Sequence, residues 1–218
     1  MSAGGGGLAR SAATLVLALG LATSAPADAP SFAPLLARSS LSFTGIQQGE
    51  QFTGTIRDFD ARVLYAPDQL PSSRIDATIR LKSLDTGNEE RDQALAGADW
   101  FDFAQFPTAS FRAATIRATP TGLVGEAELT IKGHTKRLAF PFSWKTEGSG
   151  ATLDARVTLD RLDFGLGAGE WADESIVGRQ IEVIVHLELT TAVPSIPAGS
   201  SPAANPAAPA TQPRSANN

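Results

Sequence analysis

The chain has 218 residues, of which 42% are hydrophobic and 19% are charged, so it is long enough to bury one ordinary hydrophobic core. Its formal net charge is −5 and it has no basic block, which argues against nucleic acid as a partner. It has no cysteine, which excludes a disulfide scaffold and leaves stability to packing.

The N-terminal segment has the parts of a secretory signal peptide. Arg10 precedes an apolar run over residues 12–22, and the small-x-small sequence APA follows at residues 25–27. The run is too short for the hydrocarbon core of a membrane, which needs ~20 apolar residues, and no second apolar span follows. We therefore predict a signal peptide over residues 1–27, no stable membrane span, and a periplasmic or secreted protein.

After a lead-in at residues 28–38, the pattern over residues 39–191 alternates between apolar and polar positions, which is typical of β-strands with one dry face. Residues 74–82 show it best, because every odd position from Ile75 to Leu81 is apolar and every even one is polar. The phase slips near Asp58, which predicts a bend, and a bulge is expected at Gly125.

Eight or nine such segments, separated by short turns, predict a single antiparallel barrel or sandwich. One helix is predicted from Asn88 to Ala96. Asn88 is its N-cap, Glu89 and Glu90 occupy the favourable first turn, and Gly97 ends it. Beyond this domain, residues 192–218 are rich in Pro, Ala and Ser without a hydrophobic period, so we predict a disordered tail.

Residues with catalytic or metal-binding chemistry are few. His186 shares a strand face with Glu182 and Glu188, so we predict an exposed side chain and no metal site. Residues 160–174 carry five carboxylates, which leaves a hydrolase open as an alternative, although a solvated loop at a barrel mouth fits better. Arg161 and Asp163 are expected to form an ion pair across a turn in this region.

Three blocks of sequence, in the same order, resemble the YceI-like family of polyisoprenoid-binding or lipid-binding, lipocalin-like proteins of bacterial periplasms. They are DTGNEERDQAL with WFDFAQFPTASF (residues 85–95 and 100–111), VGEAELTIKGHTKRLAFPF (residues 124–142) and LDRLDFGLG (residues 159–167). The resemblance implies that residues 39–191 form an all-β domain, an extended antiparallel eight-stranded barrel with one short helix.

The resemblance also implies a tubular apolar pocket that holds a long-chain isoprenoid or acyl lipid, such as a polyprenyl or quinone chain. The helix and the aromatic turn after it would form a lid or side wall of this pocket. No catalytic residue and no cofactor other than such a lipid is predicted. The candidate pocket residues are Phe43, Phe52, Trp100, Phe101, Phe103, Phe106, Phe111, Phe142 and Phe164.

Two alternatives from other classes remain open at this point. One is a secreted hydrolase that uses the carboxylates of residues 160–174. The other is a stress-response or scaffold protein whose barrel is filled by its own side chains and whose tail makes the contacts. A homodimer is compatible with the edges of an extended barrel.

Overall fold

The computed structural model describes residues 30–192, so the predicted signal peptide and the predicted tail beyond Ala192 lie outside the described residues. Eleven strands and one helix make up the described part, joined by short turns and 3-10 segments. In chain order they are β1 (Ser31–Pro34), β2 (Ser40–Gln47), β3 (Glu50–Ile56), β4 (Phe59–Leu64), β5 (Arg74–Arg80), β6 (Leu84–Asp85), α1 (Glu89–Ala96), β7 (Thr108–Thr119), β8 (Gly122–Ile131), β9 (His134–Glu147), β10 (Gly150–Asp160) and β11 (Gln180–Thr191).

The strands form one antiparallel sheet that closes on itself. From β4 the pairing runs through β5, β7, β8, β9 and β10 to β11, and β1 pairs with both β4 and β11 to complete the ring. Beyond this ring β2 and β3 continue the courses of β1 and β4, with β2 paired to β11 and β6 paired to β3. The prediction of an eight-stranded antiparallel barrel with one short helix is confirmed.

Local predictions had mixed outcomes. The bend near Asp58 is confirmed, because β3 ends at Ile56 and β4 begins at Phe59. The bulge at Gly125 is wrong, since Gly125 is buried on an unbroken alternating strand and the extra residue is Ala114, on the partner strand β7. The segment predicted as a lead-in contains β1, a strand of the barrel wall.

Helix α1 follows its predicted signals. The side chain of Asn88 accepts a hydrogen bond from the backbone N–H of Arg91 at 2.9 Å, and Gly97 is the C-cap. Leu95 is the buried residue of this helix, and it packs in a cluster with Trp100 and Phe164 at one end of the barrel. The helix therefore covers that end, as a lid or side wall would.

Aromatic side chains fill the opposite end of the barrel. The Trp144 ring lies 5.2 Å from the Phe32 ring and 4.3 Å from the Tyr65 ring, and Phe142 stacks on Phe140 at 5.4 Å. These residues belong to, or pack against, one large buried cluster. The packed rings close this end of the barrel. Ring pairs at these separations also gain energy beyond the burial of their area.

Two glycines on β2 and β3 make room for two phenylalanines. Phe43 is paired with Gly54, and Gly45 is paired with Phe52, across the same two strands. A Cβ atom on Gly54 would overlap the Phe43 ring, and one on Gly45 would lie 2.8 Å from the Cζ atom of Phe52. Each ring thus covers the backbone of the glycine opposite, an arrangement known to stabilise glycine positions in sheets.

The guanidinium of Arg161 holds the segment between β10 and β11 together. The side chain is only 2% exposed, and its burial lowers the pKa of Arg161, although a guanidinium stays charged in proteins. All five of its N–H donors are used, at 2.5 to 3.1 Å. The acceptors are the backbone carbonyls of Leu166, Gly167, Trp171, Val177 and Gly178.

The predicted ion pair between Arg161 and Asp163 is wrong, because Asp163 instead accepts a hydrogen bond from Lys136 at 3.0 Å. The guanidinium carbon of Arg161 lies 5.3 Å from the ring of Trp100. No carboxylate accepts a hydrogen bond from Arg161 within residues 30–192, so carbonyl acceptors and an aromatic face, with the more distant charges of Asp160 and Glu174, compensate the buried charge.

Replacement of Arg161 by lysine is expected to destabilise the protein by about 3 kcal/mol. Lysine has three donors, so at least two of the five buried or part-buried carbonyls lose their partner, at ~1–3 kcal/mol each. Urea unfolding measures the change, with Arg112→Lys as the control, because Arg112 is an exposed residue paired with Asp76 and its loss should stay within about 0.5 kcal/mol. Equal losses in both variants would contradict the structural role of Arg161.

Replacement of Gly54 by alanine is expected to lower the free energy of unfolding by about 1–3 kcal/mol, because the Phe43 ring must move away from the new methyl group. Gly125→Ala is the matched control, since its Cβ would lie 3.4 Å from the Cβ of Ala113, an ordinary contact. Both changes reduce the freedom of the unfolded chain equally, so the difference between them isolates the clash. The clash is absent if the two variants unfold at the same urea concentration.

Candidate functional site

The barrel encloses a cavity of about 610 Å³. Of its 38 lining residues, 32 are apolar, and they come from both of the buried clusters. The odd positions of β11 from Ile181 to Leu187 form part of the wall, as the alternation in their sequence predicts for a dry face. The volume lies within the ~300–1,000 Å³ that is typical of small-molecule sites.

Small side chains keep this part of the barrel open. Ala61 on β4, Ala77 on β5 and Ala109 on β7 line the cavity on three successive strands, and Ala61 and Ala77 are direct cross-strand partners. An eight-stranded barrel is just wide enough for ordinary side chains to fill it. Alanines at these positions therefore leave a space that aromatic residues occupy at the other end.

Six of the nine predicted pocket residues lie on the cavity wall. Two of them lie on β2 and β3, where each faces one of the paired glycines described above. The six are Phe43, Phe52, Trp100, Phe101, Phe111 and Phe164.

The other three, Phe103, Phe106 and Phe142, are not among the lining residues. Phe142 is part of the closed end, stacked on Phe140. Phe106 packs against the turn after β8, where a Cβ on Gly133 would lie 3.3 Å from its ring. Phe103 packs beside Phe101 at 6.0 Å, on the rim of the second cluster. The aromatic residues of the WFDFAQFP turn are close in sequence, but only some of their rings face the cavity.

Aliphatic residues form most of the wall and were not among the predicted candidates. Val157 and Leu159 on β10, with Val183 on β11, are examples. Their alternation marks a dry face in the sequence, but the same alternation describes a packed core and a cavity wall equally well. No sequence pattern separates these two environments.

Polar lining residues gather at one place, where the cavity meets the surface. They are Gln47 and Gln48, at the end of β2, and Asn88, Glu90 and Arg91, at the start of α1. Gln48, Asn88 and Glu90 are exposed, so the mouth of the cavity lies between the β2–β3 turn and the first turn of α1. The sixth polar lining residue, Arg161, belongs to the buried network already described.

The mouth is bridged by one side chain. The Nε atom of Arg91 donates a hydrogen bond to Oε1 of Gln47 at 2.9 Å, and the guanidinium carbon lies 4.3 Å from the Phe52 ring centre. Gln48 and Gly49 both have positive φ, 51° and 83°, which allows the tight two-residue turn that brings Gln47 to this point.

The carboxylates of residues 160–174 make local contacts and do not line the cavity. Burial alone would raise the pKa of Asp160, but hydrogen bonds from Arg179 and the Leu162 N–H, with the charges of Arg179 and Arg161, hold it below its ordinary value. Asp163 pairs with Lys136, and Asp173 accepts hydrogen bonds from the backbone and side chain of Ser175. These groups stabilise the loop between β10 and β11.

Within residues 30–192 no three His, Asp or Glu side chains are grouped closely enough to hold a metal ion. His186 is partly exposed, as predicted, and its Nδ1 lies 2.7 Å from the Oδ1 of Asp154 on the neighbouring strand. No helix in this same range is long and apolar enough to cross a membrane.

The fold has solved counterparts. BcnA of Burkholderia cenocepacia is 30% identical, with a TM-score of 0.68 over 72% of this chain and 99% of that one. A polyisoprenoid binding domain from Saccharophagus degradans, implicated in plant cell wall breakdown, has a TM-score of 0.59 over 75% of this chain and 99% of its own, at 13% identity. At this identity the similarity to the Saccharophagus degradans domain shows a shared fold.

Relatives are also found by sequence. A UPF0312 protein of Pseudomonas putida is 29% identical over 120 residues, which are 52% of this chain and 62% of that protein. The chain thus spans about three fifths of the length of this relative. The model of the YceI-like domain matches residues 34–189, most of the chain and nearly all of the barrel. By this match the chain belongs to the YceI-like family.

Proposed function

We propose that this protein binds a long-chain isoprenoid or acyl lipid in the barrel cavity, and that it stores or transports this lipid in the periplasm or outside the cell. The observation that carries the proposal is the apolar cavity of about 610 Å³. Membership of the YceI-like family, and the fold shared with the solved polyisoprenoid binding domain of Saccharophagus degradans, support the same ligand class. The predicted signal peptide supports the location.

Burial of the chain supplies the binding energy. Each methylene moved from water into the cavity contributes ~0.8 kcal/mol, so roughly five to twenty of them offset the ~4–15 kcal/mol cost of association. Apart from the buried Arg161, the polar lining residues lie at the mouth, so the ligand enters with its hydrocarbon chain first. The proposal assigns no catalytic group to the chain, because binding of this kind needs none.

The hydrolase alternative receives less support. A hydrolase needs its acid and base beside the bond that it cleaves. The five carboxylates of residues 160–174 lie outside the cavity wall, and Asp160, Asp163 and Asp173 are held in caps and ion pairs. Within residues 30–192, Glu90 is the one carboxylate on the wall, and no second carboxylate lines the wall beside it.

We expect that filling the cavity abolishes lipid binding and leaves the barrel folded. Ala77→Phe places a ring in the space that Ala61, Ala77 and Ala109 leave open. Native mass spectrometry of the purified protein, with mass analysis of an organic extract, measures the bound lipid. Ala139→Phe is the matched control, because Ala139 is an exposed residue of β9, and this variant should keep the lipid.

An A77F variant that retains a stoichiometric lipid would show that the chain does not occupy this part of the barrel. A wild-type protein that is empty and takes up no lipid, neither polyprenyl phosphate nor quinone nor fatty acid, would remove the proposal in favour of the scaffold alternative. Circular dichroism and the unfolding midpoint establish that each variant is folded before its lipid content is compared.

A further inference from the structure

Two arginines line the cavity, and they differ in how their donors are used. Arg161 donates all five of its N–H groups to backbone carbonyls, so none remains for a ligand. Arg91 donates its Nε–H to Gln47, and its two terminal amino groups have no hydrogen-bond partner within residues 30–192. Arg91 is therefore the cavity-lining cation with donors left to offer.

The charge of Arg91 also lacks a carboxylate partner among the residues that the structure describes. In residues 30–192 most arginines have a carboxylate within 4 Å, as Arg80 and Arg112 do on the outer surface, whereas Arg91 has none. The adjacent carboxylate of Asp92 is used elsewhere, since it accepts hydrogen bonds from the N–H and hydroxyl of Thr86. Among the described lining residues the formal charges are those of Arg91, Arg161 and Glu90, which leave a net positive wall.

The position of Arg91 is fixed by two contacts. Gln47 accepts its Nε–H at 2.9 Å, and the Phe52 ring lies beneath the guanidinium at 4.3 Å. Because Nε is engaged, the free donors are the paired terminal amino groups, which match two oxygens of one carboxylate or phosphate. The side chain is half-buried, so an ion pair formed there is less screened than one on the open surface.

We propose that Arg91, positioned by Gln47, binds an anionic oxygen head group, a carboxylate or a phosphate, of the lipid whose chain fills the barrel. This inference rests on the proposed function and names the ligand more closely. The chain lies along the apolar wall, and the head group stays at the mouth, between the β2–β3 turn and α1. A neutral head group such as a quinone gains less at this position, since it brings no charge to pair with Arg91.

Two pairs of probes test the proposal, each matched in its hydrocarbon chain. Oleate is compared with oleyl alcohol, and farnesyl phosphate is compared with farnesol, all below their aggregation concentrations. We expect the wild-type protein to bind each anion at least about tenfold more tightly than its alcohol, because a hydrogen bond between two charged groups is stronger than one to a neutral hydroxyl. Which anion binds more tightly distinguishes an acyl carboxylate from an isoprenoid phosphate.

Two variants remove the preference by different routes. Arg91→Gln removes the cation, and Gln47→Glu keeps it but supplies a competing carboxylate at the atom that now accepts the Nε–H. In both, the affinity for the anions should fall about tenfold toward that of the alcohols, and the affinity for the alcohols should change less than about twofold. Arg62→Gln is the control, because Arg62 is an exposed arginine of β4 without a carboxylate partner within residues 30–192.

The outcomes separate this proposal from the proposed function. Equal binding of anion and alcohol by the wild-type protein, or an unchanged preference in folded R91Q and Q47E, would overturn the role of Arg91 and leave lipid binding intact. Loss of the preference in R62Q as well would attribute it to net charge and overturn the role of Arg91 too. Failure of every probe to bind the wild-type protein would instead overturn the proposed function, and the head-group proposal with it.

Discussion

The buried guanidinium of Arg161 is the interaction on which the cavity end of the barrel depends. Gly178 follows Arg161 by 17 residues, and the chain between them contains two 3-10 segments and no named strand. Five carbonyls converge on one side chain and fix this segment against Trp100. With α1, the segment covers the end of the barrel, so the shape of the cavity depends on the hydrogen bonds between Arg161 and these carbonyls.

The cavity exists because side-chain size changes along the barrel. Aromatic residues pack at one end, whereas alanines on β4, β5 and β7 leave the middle open. A cavity forgoes the dispersion contacts that a packed core would gain, so its presence costs stability. The closed end, the Arg161 network and the phenylalanine–glycine pairs of β2 and β3 offset that loss elsewhere, which is the pattern expected where a fold maintains a space for a ligand.

The distribution of polarity gives the cavity a direction. One end is filled, the wall is apolar, and polar lining groups meet at the mouth between the β2–β3 turn and α1. The bridge from Arg91 to Gln47 joins these two elements, so the helix and the hairpin are held to each other at the entrance. A ligand with a long apolar chain and a polar head matches this gradient, whereas a compact polar substrate does not.

The sequence by itself determined most of the strands, the helix and the family, because alternation, capping residues and ordered motif blocks are local or linear patterns. It missed β1, which lies in the segment predicted as a lead-in. It also identified six aromatic residues that now line the cavity. Only the tertiary structure decided that the barrel is hollow and that Phe103, Phe106 and Phe142 lie off the cavity wall. The same held for Ala114, which carries the bulge, and for Arg161, whose partners are backbone carbonyls. The physical reason is that each of these features depends on contacts between residues far apart in the chain. The alternation of apolar and polar residues identifies the dry face of a strand, but it does not identify the side chains that pack against that face.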